Sequence, residues 1–168
     1  MTDADSKPAL VIVGGVPGAG KSTVAELIAD RLGAERLRSD EIRKELFDRP
    51  TYAEGETETV YETLRDRAAD RLAEGQSVVL DATFADRTHR RAVTELGTGE
   101  EATVRIVRVF CEQSVLEERI ARREGISDAD ASISRAIRDS FDLIERPHDE
   151  IDNSGPLSET RRQVRELF

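Results

Sequence analysis

Residues 9–32 read ALVIVGGVPGAGKSTVAELIADRL. An apolar run of strand length, Leu10–Val13, gives way to a glycine-rich segment. Val24, Leu27, Ile28 and Leu32 then recur at the spacing that sets apolar side chains on one face of a helix. The same alternation continues outward from this unit. Strand-like runs follow at Ala34–Arg38, Ser77–Leu80 and Thr103–Phe110. Helical spacing recurs in Val60, Leu64, Ala68 and Leu72, and again in Ile133, Ile137, Phe141 and Ile144. The final stretch, IDNSGPLSETRRQVRELF, reads as a short last strand, a turn at Ser154-Gly155-Pro156 and a closing helix. Strands alternating with helices predict an α/β fold: a three-layer α/β/α sandwich around a parallel sheet of roughly five strands.

Two segments break the pattern. LFDRPTYAEGETE, Leu46–Glu58, is polar and punctuated by Pro50 and Gly55, and predicts a loop. RREGISDAD, Arg122–Asp130, predicts a lid in which Gly125 ends one helix and Ser127 caps the next. At 168 residues the chain suits one domain with one sizeable core, residues 1–168, with about residues 1–8 as a flexible leading segment. The polar, acidic start MTDADSKPA lacks the form of a secretion signal, and no stretch approaches the roughly 20 apolar residues of a membrane span. The expectation is a cytoplasmic protein without a membrane partner. Cys111 is the single cysteine, which excludes an internal disulfide and a multi-cysteine metal site. The formal net charge is −10, and 22 arginines stand against three lysines, Lys7, Lys21 and Lys44. Such acidity fits a surface kept hydrated at high salt, or one that repels nucleic acid. Nothing in the sequence sets an oligomeric state.

Within the opening unit, Gly15-Val16-Pro17-Gly18-Ala19-Gly20-Lys21-Ser22 fits G-x-x-x-x-G-K-[ST], with a strand before it and an amphipathic helix after it. That context makes the motif a P-loop. A phosphate chain carries several negative charges, and glycines let backbone N–H groups turn toward it beside the positive end of a helix. Residues Gly15 to Thr23 are therefore the expected nucleotide cradle: Lys21 reaches the β and γ phosphates, and the Ser22 hydroxyl can ligate Mg²⁺. The dinucleotide fingerprint G-x-G-x-x-G is absent from this turn. The one asparagine, Asn153, lies outside any N-K-x-D motif, so the usual guanine-reading device of GTP switches is missing. No L-S-G-G-Q transporter signature occurs, and the length leaves little room for the helical subdomain of a ring ATPase. A small phosphotransferase remains.

RLRSDEIRKELF, Arg36–Phe47, supplies the next candidate. The strand ending near Arg38 delivers Asp40 to the carboxyl edge of the sheet, where ligands gather in open α/β folds. A carboxylate there can accept the proton of a substrate hydroxyl, or serve as a helix-start acid. SVVLDATF places Asp81 at the end of an apolar strand, the position of a Walker B carboxylate that holds Mg²⁺ or orients Asp40; capping of the following turn is the alternative.

In sequence order, GVPGAGKST, RSDEIRKELF, DATFADRTHRRA and VLEERIARREG together resemble the small P-loop kinases related to polynucleotide 5′-hydroxyl kinases, chloramphenicol phosphotransferases and zeta-toxin kinases. The resemblance covers nearly the whole chain. It implies ATP-dependent phosphorylation of a hydroxyl, with Asp40 as general base, Arg43 one turn on near the acceptor, and Thr83 on the acceptor side. Arg87, Arg90 and Arg91 follow Thr83, as acceptor contacts or as a solvated helix face. Arg119 and Arg123 share a helix face entering the lid, beside Arg122, where positive charge can stabilise a transferring phosphoryl group or pair with surface acids. His89 and His148 both sit in polar sequence and need no metal. The expected function is transfer of the γ-phosphate of ATP to a small molecule, a nucleoside or a polynucleotide 5′ end. A nucleotide-dependent switch or ATP-binding module with slow hydrolysis is the alternative.

Overall fold

The computed structural model describes residues 6–122 and 128–168. The first half of the chain runs β1 (Ala9–Gly14), α1 (Lys21–Leu32), β2 (Glu35–Arg38), α2 (Ser39–Leu46), α3 (Glu54–Ala73) and β3 (Val78–Asp81). The second runs α4 (Arg87–Gly99), β4 (Thr103–Phe110), α5 (Gln113–Arg122), α6 (Asp128–Asp139), β5 (Asp149–Asp152) and α7 (Leu157–Leu167). All five strands pair in parallel, in the order β2-β3-β1-β4-β5. This is the α/β P-loop architecture that the alternation predicts.

Alternation along β1 builds the layers, because successive strand side chains point to opposite faces. Leu10 and Ile12 enter a core with Val60, Leu64, Ala68 and Leu72 of α3 and Val93 of α4. Val11 and Val13 enter the other, with Val24, Ala25 and Ile28 of α1 and Val164 of α7. Each fully buried Val, Leu or Ile is stabilised by about 1.5–3 kcal/mol relative to exposure. Strands covered on both faces read as continuous apolar runs, and β1 and β3 do so. The edge strands β2 (ERLR) and β5 (DEID) are short and charged, which discourages pairing with another chain.

Two sequence expectations need correction here. The polar stretch 46–58 is not a loop throughout, since α3 begins at Glu54. Its first turn is EGETE, and the apolar period starts only at Val60. What holds that turn is Glu56, whose carboxylate accepts the N–H groups of Thr51 (2.9 Å) and Tyr52 (3.2 Å). The second correction concerns Ile133, Ile137, Phe141 and Ile144, which do not share one helix. α6 ends at Asp139, and Phe141 and Ile144 pack on the first core from a non-helical segment. The Arg90 guanidinium captures that segment by donating to the carbonyls of Asp142 (3.0 Å) and Leu143 (3.1 Å), while the Asp142 N–H donates to Ala85 O (2.8 Å). No helix among the described residues is long and apolar enough to cross a membrane.

Candidate active site

β1 and β3 end side by side, with Val13 in register with Asp81, and β2 brings Arg38 into register with Asp81 from the other side. Their carboxyl ends open onto a cavity of about 550 Å³, lined among others by Gly18, Gly20, Lys21, Ser22, Arg38, Asp40, Asp81 and Thr83. The glycine loop forms its floor. Gly20 has φ 91°, and a Cβ there would lie 2.0 Å from Asn153 Nδ2; at Gly15 it would lie 2.3 Å from Val109 O. Both positions exclude a side chain. Lys21 Nζ donates to Val16 O at 3.3 Å, so the loop carbonyl already orients the ammonium across the floor.

Buried contacts brace this loop from behind. Asn153, between β5 and α7, donates from Nδ2 to Ala19 O (2.9 Å), and its Oδ1 accepts from the fully buried Thr160 hydroxyl (2.6 Å). Arg119 of α5 donates to Asn153 O (2.6 Å) and to Ala19 O (3.5 Å). Arg119 thus meets the loop through its backbone. Arg123 and most of the expected lid, with Gly125 and Ser127, lie outside the described residues. Arg122 pairs with Glu118 at 2.5 Å on the exposed side of α5.

Ser22 and Asp81 are joined by Arg38, whose Nε lies 3.5 Å from Asp81 Oδ2 and whose Nη2 donates to the Ser22 hydroxyl at 3.4 Å. Asp81 is buried, and its Oδ2 accepts no hydrogen bond from the described residues. An orphaned carboxylate oxygen and a hydroxyl on one cavity wall are the hard oxygen donors that suit Mg²⁺. The described residues hold no cluster of three or more His, Cys, Asp or Glu that could cage a metal. That sparse donor set fits a cation carried largely by substrate phosphates.

A second cavity, about 480 Å³, lies on the far side of Asp40. Ser39, Asp40, Tyr52, Thr83 and Ile137 line both, so the two volumes meet along a seam at Asp40. Asp40 itself is exposed in the first turn of α2. Arg43, one turn on, reaches the second cavity, where it is buried and ion-paired to Glu56 (2.6 Å); its guanidinium also lies 4.3 Å from the Tyr52 ring centre. Glu56 has its carboxyl held down at about 2, first by the Thr51 N–H and then, against the opposing effect of burial, by Arg43 and further donors. Tyr52 takes φ 59°, a left-handed backbone that costs a bulky residue strain.

The rear wall of that cavity is a stack of Tyr61 on His89, centres 3.9 Å apart and nearly parallel. The polar setting expected for His89 is therefore corrected: it is 5% exposed. Burial lowers its pKa, against the raising effect of Glu58, whose Oε1 lies 3.3 Å from Nε2. Burial likewise pushes the Tyr61 phenol up to about 12, and its oxygen accepts the Phe84 N–H at 3.0 Å. Arg90 is structural, buried against backbone carbonyls. Arg87 and Arg91 remain on the exposed face, beside Asp142 and Glu95. Cys111 is half-buried and free, with burial raising its thiol pKa.

A phosphate-type loop at a helix start, on the carboxyl edge of a five-stranded parallel sheet with a carboxylate at the neighbouring strand end, defines a P-loop α/β protein. The chain belongs to the AAA domain family, which it matches over residues 10–144. Uncharacterised proteins of Mycobacterium tuberculosis and Mycobacterium bovis are 31% identical to it over 172 residues, covering 95% of this chain and 34% of theirs. The chain thus spans about a third of the length of those relatives. Among solved structures, a putative kinase of Chloroflexus aurantiacus is similar at TM-score 0.74 and 23% identity, covering 97% of each chain. The APS kinase of Mycobacterium tuberculosis, in complex with AMPPNP and APS, is similar at TM-score 0.74 and 18% identity over 96% of this chain and 97% of that one. A gluconokinase of Sinorhizobium meliloti is similar at TM-score 0.67 and 23% identity, over 96% and 93%. At these identities the likeness is one of fold.

Proposed function

We infer that the chain is a phosphotransferase that moves the γ-phosphate of ATP to a hydroxyl acceptor seated in the second cavity. The observation that carries this reading is the seam: a nucleotide-sized cavity over the glycine loop meets a second cavity, and an exposed carboxylate, Asp40, stands where they join. In the proposed step the acceptor oxygen forms a bond to the γ-phosphorus as the bond from that phosphorus to the ADP oxygen breaks. The hydroxyl proton passes to Asp40. Lys21, held across the loop floor, would balance charge on the transferring group. Ser22 and Asp81 would hold Mg²⁺, which would neutralise phosphate charge when bound. Gly15 to Thr23 would cradle the nucleotide, and Arg43 and Thr83 would face the acceptor. Arg119 acts on the site through the shape of the loop it braces, and Arg123 is proposed beside it from sequence spacing alone.

A switch needs a positioned water but no acceptor cavity, so the second cavity favours transfer over the switch reading. Kinase function in structural neighbours, one described with AMPPNP and APS, supports the same choice. The test is ATP consumption against a library of hydroxyl compounds and 5′-hydroxyl oligonucleotides, with the product analysed for acceptor phosphate. The expected result is acceptor-dependent ADP formation that Lys21→Ala abolishes. ATP hydrolysis indifferent to every acceptor would favour the switch.

A further inference from the structure

We propose that the second cavity selects a hydroxyl compound carrying a cationic amine, an amino alcohol or amino sugar, over neutral or anionic acceptors. This rests on the phosphotransferase reading for the step catalysed, but its observations are separate. Four carboxylates line the cavity: Asp40, Glu54, Glu58 and Asp86. With Asp40 on the seam as base, the other three face the body of an acceptor. Arg43 is the one arginine or lysine among the described lining residues, and its charge is already engaged. It pairs with Glu56 at 2.6 Å, donates toward the Thr57 hydroxyl at 3.4 Å and lies against the Tyr52 ring. A carboxylate or phosphate on the acceptor would therefore enter a negative cavity in which no described lining residue offers it a free cation.

The wall chemistry suits an ammonium in a second way. The half-exposed Tyr52, with Arg43 over its ring, presents its remaining aromatic surface beside these carboxylates, in front of the buried Tyr61–His89 stack. A cation is attracted by ring faces as well as by carboxylates, whereas a neutral polyol gains little from either. Hydroxyls at Ser39, Thr57, Thr83 and Ser140 also line the cavity and match the hydroxyls of such a compound.

The test uses the protein with Mg²⁺ and a non-hydrolysable ATP analogue, titrated calorimetrically with three compounds of one six-carbon skeleton: glucamine, sorbitol and gluconate. At neutral pH these are a cation, a neutral molecule and an anion. The expected order is glucamine tightest, by about tenfold over sorbitol, with gluconate weaker again. Raising salt from about 0.1 M to 1 M shortens the screening length from roughly 10 Å to 3 Å and should compress the order, which a preference of shape alone would not show. A variant combining Glu54→Gln, Glu58→Gln and Asp86→Asn should compress it likewise; Asn still serves as the α4 cap. Equal affinities, a reversed order, or no binding by any of the three overturns the inference. ATP turnover is measured in parallel. Amine-selective binding without phosphoryl transfer would sink the phosphotransferase reading and leave the charge class standing, whereas preferred phosphorylation of gluconate would do the reverse.

Discussion

The two cavities that meet at Asp40 are built from different materials. The first is largely backbone: a loop with Gly15, Gly18 and Gly20 at positive φ, set at the start of α1, with Lys21 held by Val16 O. The second is side chain, assembled by Arg43, Glu56, Tyr61 and His89 from α2, α3 and α4. A backbone cradle recognises what every nucleoside triphosphate shares. A side-chain cavity can differ in charge and shape at little cost to the fold, which is how one architecture serves many acceptors. Changes on the first side should abolish transfer with any acceptor, and changes on the second should alter which acceptor is used.

The largest effect is expected at Lys21. Lys21→Ala should lower turnover about 10²–10³-fold with every acceptor while the thermal transition stays in place, because the side chain serves charge and not packing. Rapid-quench kinetics and calorimetric unfolding check both halves. Next is the brace behind the loop. Asn153→Ala leaves the Thr160 hydroxyl without its buried partner and Ala19 O with only the 3.5 Å contact from Arg119, and should cost about 1–3 kcal/mol of stability. Nucleotide affinity should fall with it and acceptor affinity should not, a split read from two separate titrations.

On the acceptor side, Arg43→Met removes the cation from a buried pair and leaves the Glu56 carboxylate with only its Thr51 and Tyr52 donors. Acceptor KM should rise and the unfolding temperature fall, with ATP affinity spared. Equal losses for both substrates would break the division between the cavities. The smallest effect is the pH dependence of stability. Burial depresses the His89 pKa in the folded protein, so the unfolded chain binds more protons below its ordinary value of 6.5. Stability from this group is complete above pH 6.5 and declines as pH falls below it. Glu56 adds a separate loss further into acid, as pH drops from its ordinary 4.5 toward about 2. Denaturant unfolding across this range should show the first step vanish in His89→Phe.

The first cavity was legible because its residues are consecutive. Strand, glycines, Lys21 and helix follow one another in a single window, Asp40 comes just after the end of a strand, and Asp81 sits where an apolar strand run stops. The second was not. Glu56 lies in a polar stretch indistinguishable from loop until its carboxylate is seen capping its own helix and gripping Arg43, 13 positions back. Asn153 stands 134 positions from the carbonyl it supports, and in the sequence it served only to exclude a guanine motif. His89 lies between polar neighbours, THRR, yet its burial is decided by Tyr61 on another helix. Arg38 gave a faint signal, since β2 ends where β3 ends, and register alone sets it opposite Asp81. Helix length failed for a related reason: Ile137, Phe141 and Ile144 keep helical spacing, but the helix ends at Asp139 and the Asp142 and Leu143 carbonyls accept from Arg90, 52 and 53 positions away.

The central claim is that Asp40 takes the acceptor's proton at the seam while Asp81 stands on the metal side. Asp40→Asn keeps the shape of the side chain and removes its proton acceptance. Calorimetric titration with Mg·ATP, paired with single-turnover phosphorylation of the best acceptor, measures the two consequences on one variant. The account predicts nucleotide affinity close to that of the unaltered protein and transfer slowed about 10²-fold or more, whereas Asp81→Asn should instead raise the Mg²⁺ requirement. An Asp40→Asn protein that phosphorylates its acceptor at full rate would contradict it.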